Sequence, residues 1–476
     1  METAMMRPLL LLPEILLSGG ALTALIGGSF VPRHQQWLVR IFTAVVLVAT
    51  IVTAAVQLHA PATNAFDDSF AVDTATGIVR ILAASGTLLI LAVAADEISG
   101  SARESETYAL LLFSTAGTVL LAGANDLLAL VVGFLLASIP IYALIGLAHT
   151  AAGAEAAMKT YLMGALFGIL LLLGVTVLSG LTGTTRYAEL ADRLTGVPQA
   201  AVTVAAVAVI TGLMFKAGGV PAHFWVPDAA QAATATAATF LTTVPKIGAL
   251  VAIYRLAVVL PPSSSWPVLV AALATVSMTL GNLAAFWQSD PRRLLGWSTV
   301  SQVGFLLVPI AAAGRSDLAL PSLLVYLTGY TATNIAAFAA SAALPKRRDL
   351  ADWRGLAADR PWLAAALLVA LLGLVGTPPT AVFVGKLTTA TAAWDGRYAW
   401  LAVVVFVNTV ISLFYYLRWI APTYRSRRST PKGREHAPSN DEPPQPSSTR
   451  LAVAAAALSL VLGVAAGLLW DLVARR

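Results

Sequence analysis

The sequence contains no cysteine in its 476 residues. This absence excludes disulfide bonds, iron–sulfur clusters held by thiolates and zinc held by cysteine. Charged residues are also scarce, at 11% of the chain against about 25% in soluble domains. No glycine-rich phosphate-binding fingerprint follows a strand-like segment, which argues against a nucleotide site. The five histidines lack ligand spacing, so we predict no metal and no cofactor in this chain.

Apolar residues dominate what is present: they form 58% of the chain, and the mean hydropathy is +0.79. Apolar runs of about 20 residues recur along the whole length, each enough to cross a bilayer. We therefore predict an all-α polytopic membrane protein with about fourteen transmembrane helices. The predicted spans are residues 8–30, 37–58, 76–95, 107–123, 126–148, 157–181, 200–220, 229–257, 265–288, 294–313, 318–344, 362–391, 397–420 and 450–472.

The net charge of +6 does not indicate nucleic-acid binding, because the basic residues cluster in short loops between spans. Loops with an excess of Lys and Arg lie on the cytoplasmic side of membrane proteins. That rule predicts a multi-pass protein of the inner (plasma) membrane with both termini on the outer side, as an even number of spans requires. The loops assigned to the cytoplasm contain Arg33, Arg40, Arg103, Arg292, Arg293, Lys346, Arg347, Arg348, Arg354, Arg360, Arg425, Arg427, Arg428, Lys432 and Arg434.

The organisation predicted along the chain has five parts. Two central regions each contain a helix interrupted by glycine and proline, at GGVPAHFWVP in the first and GTPPTAVFVG in the second. Paired interruptions of this kind indicate inverted repeats with a site near the membrane midplane. A Pro- and Ser-rich polar stretch near the C-terminus is predicted to be a disordered cytoplasmic linker. The parts are 1–100 (helices 1–3), 101–260 (first repeat, helices 4–8), 261–423 (second repeat, helices 9–13), 424–449 (linker) and 450–476 (helix 14).

Four lysines fall within predicted spans: Lys159, Lys216, Lys246 and Lys386. A lysine near the bilayer centre costs roughly 2.5–3.5 kcal/mol on insertion scales, so such residues are rare. We expect them to face the bundle interior, water or a counter-charge. Because burial disfavours the charged amine, a buried lysine suits a group that must gain and lose a proton. The alternative is that some of them extend to the membrane interface.

Two further groups are candidates for the same path. Glu155 lies four residues before Lys159 and shares its helix face, either as a relay station or as an ion pair at the membrane edge. His223 lies between two prolines in the first interruption, where an imidazole either shuttles protons or binds loop backbone.

The remaining charges in or beside spans are given structural roles. Glu14 is predicted to pair with a basic residue or to cap a helix. Asp126, Asp228 and Asp290 are predicted to be helix caps or loop ion pairs. Arg255 lies near a span end and is predicted to extend to the membrane interface.

Several stretches together resemble the antiporter-like, proton-translocating membrane subunits of respiratory complex I (NADH-quinone oxidoreductase), in the subunit N branch. More broadly, they resemble the family that also includes Mrp-type antiporter subunits and membrane-bound hydrogenases. The stretches cover nearly the whole chain with unchanged spacing. They read LLPEILLSGGAL, EAAMKTYLMGAL, GLMFKAGGVPAHFWVPD, FLTTVPKIGAL, GNLAAFWQSDPRRLLGWSTVSQVGFLL, LLGLVGTPPTAVFVGK and FYYLR.

The resemblance implies fourteen helices, with two inverted five-helix repeats and a broken seventh and twelfth helix. It implies central proton-path lysines at Lys216 and Lys246, an exit-side lysine at Lys386 and the sixth-helix lysine at Lys159. It also implies a subunit of a NADH:quinone oxidoreductase translocase, with no catalytic or redox residue in this chain. The implied partners are other membrane-arm subunits and lipid, with no nucleic acid.

Two departures mark a divergent member. Leu135 stands where the family has a fifth-helix glutamate that pairs with the equivalent of Lys216. Residues 230–236 read AQAATAT in place of YQGAPTP, which removes a glycine and two prolines. These departures leave two alternatives open: a subunit of a Mrp-type cation/proton antiporter or ion-uptake complex without electron transfer, and a paralogue that does not pump.

Overall fold

The computed structural model describes residues 7–261, 265–426 and 443–474. The described chain is nearly all helical, as predicted. The α-helices are α1 Leu12–Phe30, α2 Trp37–Gln57, α3 Thr74–Glu97, α4 Glu104–Gly123, α5 Leu127–Gly146, α6 Ala151–Thr182, α7 Tyr187–Arg193, α8 Gln199–Ala217, α9 Trp225–Ala232, α10 Ala235–Val259, α11 Trp266–Ala285, α12 Pro291–Ala311, α13 Ala319–Ala343, α14 Leu356–Asp359, α15 Pro361–Val375, α16 Ala381–Asp395, α17 Ala399–Tyr424, α18 Pro446–Val464 and α19 Ala466–Val473.

Short elements complete the secondary structure. An antiparallel hairpin joins β1 (Thr63–Ala65) to β2 (Phe70–Val72), with Thr63 opposite Val72. Single 3₁₀ turns occupy Pro8–Leu11, Arg33–Gln35, Leu194–Gly196 and Leu350–Trp353.

Thirteen helices within the described residues are long and apolar enough to cross a membrane. The remaining predicted span, 362–391, which is the twelfth along the chain, is divided into α15 and α16 by a non-helical segment at 376–380. The polytopic fold with broken helices is thus confirmed. Of the predicted linker at 424–449, residues 427–442 lie outside the described part; Tyr424 still belongs to α17, and α18 begins at Pro446.

The core is formed by α10, α12 and α13, whose apolar stretches are almost completely enclosed by other helices. By contrast, α1, α2, α6, α17 and α18 present most of their apolar stretches to the outside. Both interrupted helices pack against this core, since α9 contacts α12 and α16 contacts α13. Each interruption is therefore packed against the core on one side, while Pro221 and Phe224 in the first and Pro378 and Pro379 in the second remain exposed.

A buried ion pair ties α1 to α3. Arg80 is fully buried, and its Nε and Nη2 donate to the two carboxylate oxygens of Glu14, each at 2.8 Å. Its remaining contacts are Gln57 Oε1 at 2.7 Å and the Leu10 carbonyl at 3.0 Å. Pairing of Glu14 with a base agrees with the sequence prediction. Arg80 itself was missed, although a single arginine inside an apolar run is a recognisable signal.

We predict that R80M lowers the stability of the folded chain by about 3–5 kcal/mol, because Glu14 is left as an uncompensated buried charge. The double variant E14L/R80M removes both charges and recovers most of that loss. Thermal unfolding of the full chain in detergent measures both effects. Unfolding of R80M at the wild-type temperature would contradict the prediction.

Candidate functional site

The first interruption separates α8 from α9. Helix α8 ends at Ala217 because Gly218 adopts the left-handed conformation, with φ of +83°. Lys216 lies in the last turn of α8, and Lys246 lies on α10, which runs past the interruption. Both side chains are buried, with 2% and 0% of their surface exposed. The prediction that these lysines face the bundle interior is therefore correct.

The two ammonium groups bind backbone carbonyls. Lys216 Nζ donates to the Ala137 carbonyl of α5 at 2.5 Å. Pro140 lacks the N–H that would bind the Leu136 carbonyl, so the helix ladder loses one bond next to Ala137. The Ala137 carbonyl itself also accepts from the Ser114 hydroxyl at 2.9 Å. Lys246 Nζ donates to the Lys216 carbonyl at 3.3 Å and lies 4.5 Å from the centre of the Trp225 ring. A cation over an indole face is attracted to its π-electrons.

The second interruption holds Lys386 in the same way. Helix α15 ends at Val375, where Gly376 has φ of +88°. Lys386 is buried, and its Nζ donates to the Val375 carbonyl at 2.8 Å and to the Leu374 carbonyl at 3.4 Å. The centre of the Phe305 ring lies 3.8 Å from the same nitrogen.

These contacts share one electrostatic basis. The last four carbonyls of a helix lack intrahelical donors and carry the negative end of its dipole. Lys246 and Lys386 point at such carbonyls, at the ends of α8 and α15 respectively. Among the described residues, no carboxylate lies within salt-bridge distance of any of the three lysines. A proton can therefore leave such a lysine without separating a buried ion pair.

Neutral polar side chains that the sequence reasoning missed lie between the two interruptions. Tyr326 donates to Gln302 Oε1 at 2.6 Å, and Gln302 Nε2 donates to the Leu374 carbonyl that also receives Lys386. Towards α10, Tyr330 donates to the Thr242 carbonyl at 2.7 Å. All of these side chains belong to the central helices and are buried. A glutamine inside the run SQVGFLL is the signal that could have identified them.

His223 lies in the first interruption, as expected, and is 2% exposed. Its ring centre is 4.1 Å from that of Phe224 and 5.6 Å from that of Trp297. Neither ring nitrogen has a hydrogen-bond partner among the described residues. The imidazole is thus buried in the interruption beside two aromatic rings.

Lys159 and Glu155 lie apart from the buried lysines. Their side chains are 51% and 66% exposed, and they form an ion pair at 2.7 Å. Lys159 Nζ also lies 3.2 Å from Asp228 of α9, whose other oxygen binds Arg293 at 2.6 Å. Of the three environments expected for the span lysines, Lys159 therefore has the counter-charge rather than the bundle interior, because two carboxylates neutralise it at the surface.

Other predicted structural charges have defined positions. Asp126 and Asp290 cap α5 and α12, as predicted. Arg255 is partly buried and binds Asp73 at 2.7 Å and the Ala122 carbonyl. Burial raises the pKa of Asp73, but attraction to Arg255 and hydrogen bonds outweigh it, so the net shift is downward.

Comparison with known proteins identifies the family to which the chain belongs. Residues 124–412 match the family model described as NADH:quinone oxidoreductase/Mrp antiporter, transmembrane. The chain belongs to this family. The matched segment contains both interruptions and all three buried lysines.

Relatives match over nearly the full length. NADH-quinone oxidoreductase subunit N of Mycobacterium sp. (strain JLS) is 66% identical over 98% of both chains. Subunit N 1 of Streptomyces griseus is 47% identical over 97% of this chain and 96% of the relative. The kinship with the subunit N branch expected from the motifs is thus confirmed.

Solved structures agree with the fold. A chain of respiratory complex I from Thermus thermophilus superposes with a TM-score of 0.82 at 29% identity, covering 98% of this chain and 100% of that one. A chain of the Mrp complex from Dietzia sp. gives a TM-score of 0.84 at 22% identity, over 98% and 97% of the two chains. The second likeness shows a shared fold alone.

We predict that G218A lowers stability by about 1–2 kcal/mol, because an L-residue is strained in the left-handed conformation. The added Cβ would also lie 2.8 Å from Val226 Cγ2 and 3.1 Å from Lys246 Nζ, so it would displace that ammonium group. The matched control is G180A in α6, where a Cβ meets no atom within 4 Å. Thermal unfolding of both variants in detergent checks the prediction, and equal stability of the two would contradict it.

Proposed function

We propose that this chain is the subunit N-type membrane subunit of an NADH:quinone oxidoreductase and moves protons through Lys216, Lys246 and Lys386. Electron transfer takes place in partner subunits of the membrane complex and drives the protonation changes. The names of the relatives support the assignment to an oxidoreductase complex. In the proposed orientation, the arginine-rich loops face the cytoplasm and both termini lie on the outer side of the plasma membrane.

The observation that carries this proposal is the arrangement of the three buried lysines. Each ammonium group is held by carbonyls or aromatic faces rather than by a carboxylate. Lys246 contacts the backbone of Lys216 directly, which makes these two lysines neighbours on a path. From Lys246 the polar residues of α12 and α13 continue towards Lys386.

Lys159 and Glu155 fit a different place in the proposed function. Their exposure and their link to Asp228 put them beside α9 at the protein surface. We propose that these two residues form a site at the edge of the path. They fix the position of α9, and they act on the buried lysines only through that helix. His223 is proposed to contact the row through bound water.

We predict that K216M and K246M each reduce NADH-driven proton pumping by at least about tenfold, since a positioned proton-transfer group contributes 10²–10⁴-fold to its step. Methionine keeps the length and apolar character of the side chain, so assembly is preserved. Dye-quenching of proton uptake in vesicles containing the assembled complex gives the rate, and complex content gives assembly. The exposed Lys346 supplies a matched control, K346M, which is expected to pump normally. Normal pumping by both K216M and K246M would refute the proposal.

Leu135 favours a second candidate, a cation/proton antiporter subunit that works without electron transfer. The leucine side chain is 42% exposed on α5, and Lys216 uses the Ala137 carbonyl of the same helix. The vesicle assay separates the two: proton movement that requires a sodium gradient and ignores NADH indicates the antiporter, while absence of movement under either condition indicates a paralogue that does not pump.

A further inference from the structure

Two adjacent carboxylates end α3, and each holds the first turn of another helix. Glu97 Oε1 accepts from Ala235 N at 2.6 Å, and Oε2 accepts from the N–H and the hydroxyl of Thr236, both at 2.7 Å. Asp96 accepts from the backbone N–H groups of Ser447 and Ser448 at the start of α18. Glu97 is exposed, so it joins the aqueous surface to α10, the helix that carries Lys246.

A cavity of about 170 Å³ opens beside these carboxylates. Asp96, Glu97 and Ser448 line it together with Ala235. One water occupies about 30 Å³ in the liquid, so the cavity is large enough for several water molecules with polar partners. It lies at the end of the molecule where Arg292 binds the Ala233 carbonyl, which is the side with the arginine-rich loops.

A row of hydroxyl groups runs along α10 from this cavity to Lys246. The row consists of Thr236, Thr239, Thr242 and Thr243, and each of them is completely buried. With 3.6 residues per turn, these positions and Lys246 share one face of the helix. The rise of 1.5 Å per residue places Thr236 about 15 Å from Lys246 along the helix axis.

One unused acceptor lies beside the row near Lys246. Asn334 of α13 donates to Thr243 Oγ1 at 2.7 Å and Thr242 Oγ1 at 3.2 Å. Its own Oδ1 is buried and has no donor among the described residues. Buried acceptors without protein donors are normally satisfied by water.

We propose that Glu97, the cavity and the threonine face of α10 form a proton-uptake route from the arginine-rich side to Lys246. The proposal rests on the proposed function, because it supplies the lysine row with protons. A proton from bulk water binds at Glu97 or a cavity water. Each water or hydroxyl along the row then accepts one proton and passes one on. The amine of Lys246 becomes an ammonium group, and transfer towards Lys386 restores the amine.

The first test uses the complete complex in membrane vesicles and measures proton pumping per assembled complex. E97Q keeps an oxygen that caps α10 but removes the exchangeable acid. T239V removes a hydroxyl whose only bond is to its own helix, at the Ala235 carbonyl. The matched control T160V removes an equally buried hydroxyl from α6. We expect E97Q and T239V to lose more than half of the pumping rate, and T160V to lose none.

The outcomes separate the route from the function that it serves. If K246M abolishes pumping while E97Q and T239V pump normally, the route is wrong and the lysine row stands. If K216M and K246M both pump normally, the proposed function fails and the route fails with it. If E97Q lowers only the amount of assembled complex and pumping per complex is unchanged, Glu97 is a helix cap alone and the route is overturned.

A second test does not depend on pumping. Because this chain has no cysteine, T239C gives it a single thiol within the row. A small cationic methanethiosulfonate reagent added from the arginine-rich side should label T239C in the assembled complex. L241C lies at the same depth on another face of α10 and should remain unlabelled. Equal protection of both thiols would overturn a water-filled route.

Discussion

The fold depends on a mutual requirement between interrupted helices and buried ammonium groups. A helix that ends within a membrane leaves carbonyls without donors, and a lysine there needs acceptors. In this protein each need is met by the other: the end of α8 receives Lys246, and the end of α15 receives Lys386. On α5, Lys216 binds the Ala137 carbonyl, which also accepts from the Ser114 hydroxyl. Removing either member of such a contact leaves an unsatisfied polar group in an apolar interior, which costs far more than the bond itself contributes.

The central helices give this arrangement its rigidity. Because α10, α12 and α13 are enclosed on all sides, the groups that they carry are fixed relative to both interruptions. At each interruption an aromatic ring also lies against the ammonium group: Trp225 lies against Lys246, and Phe305 lies against Lys386. The outer helices add charge pairs away from the path, of which Glu14 with Arg80 is the most buried. In the described part of the chain, carboxylates thus pair with basic side chains other than the three buried lysines, whereas these lysines are held by the dipoles of backbone carbonyls.

Much of this could be predicted from the sequence, because hydropathy and helix-breaking residues are local signals. The spans, the two interruptions and the burial of Lys216, Lys246 and Lys386 follow from them. These signals show how far along a membrane helix a residue lies, but they do not show towards which side of the helix its side chain points. Lys159 lies in an apolar run and still faces outward, since the amphipathic signal of α6 is weak. Backbone carbonyls occur at every residue, so the sequence does not show which of them accept from a lysine. A row of threonines cannot be distinguished in the sequence from the ordinary threonines of membrane helices.

The resemblance implies a fifth-helix carboxylate where this chain has Leu135, and the contacts of Lys216 show what that difference means physically. A carboxylate titrates, so a lysine paired with one changes its proton affinity when its partner is protonated. A carbonyl does not titrate, and its effect on Lys216 changes only with distance and angle. In the proposed function, proton release from Lys216 is then controlled by movement of α5 against α8 or by the charge on Lys246, whose ammonium group binds the Lys216 carbonyl. Two like charges at this separation repel each other, so the proposal treats the two lysines as one coupled pair that works without any carboxylate.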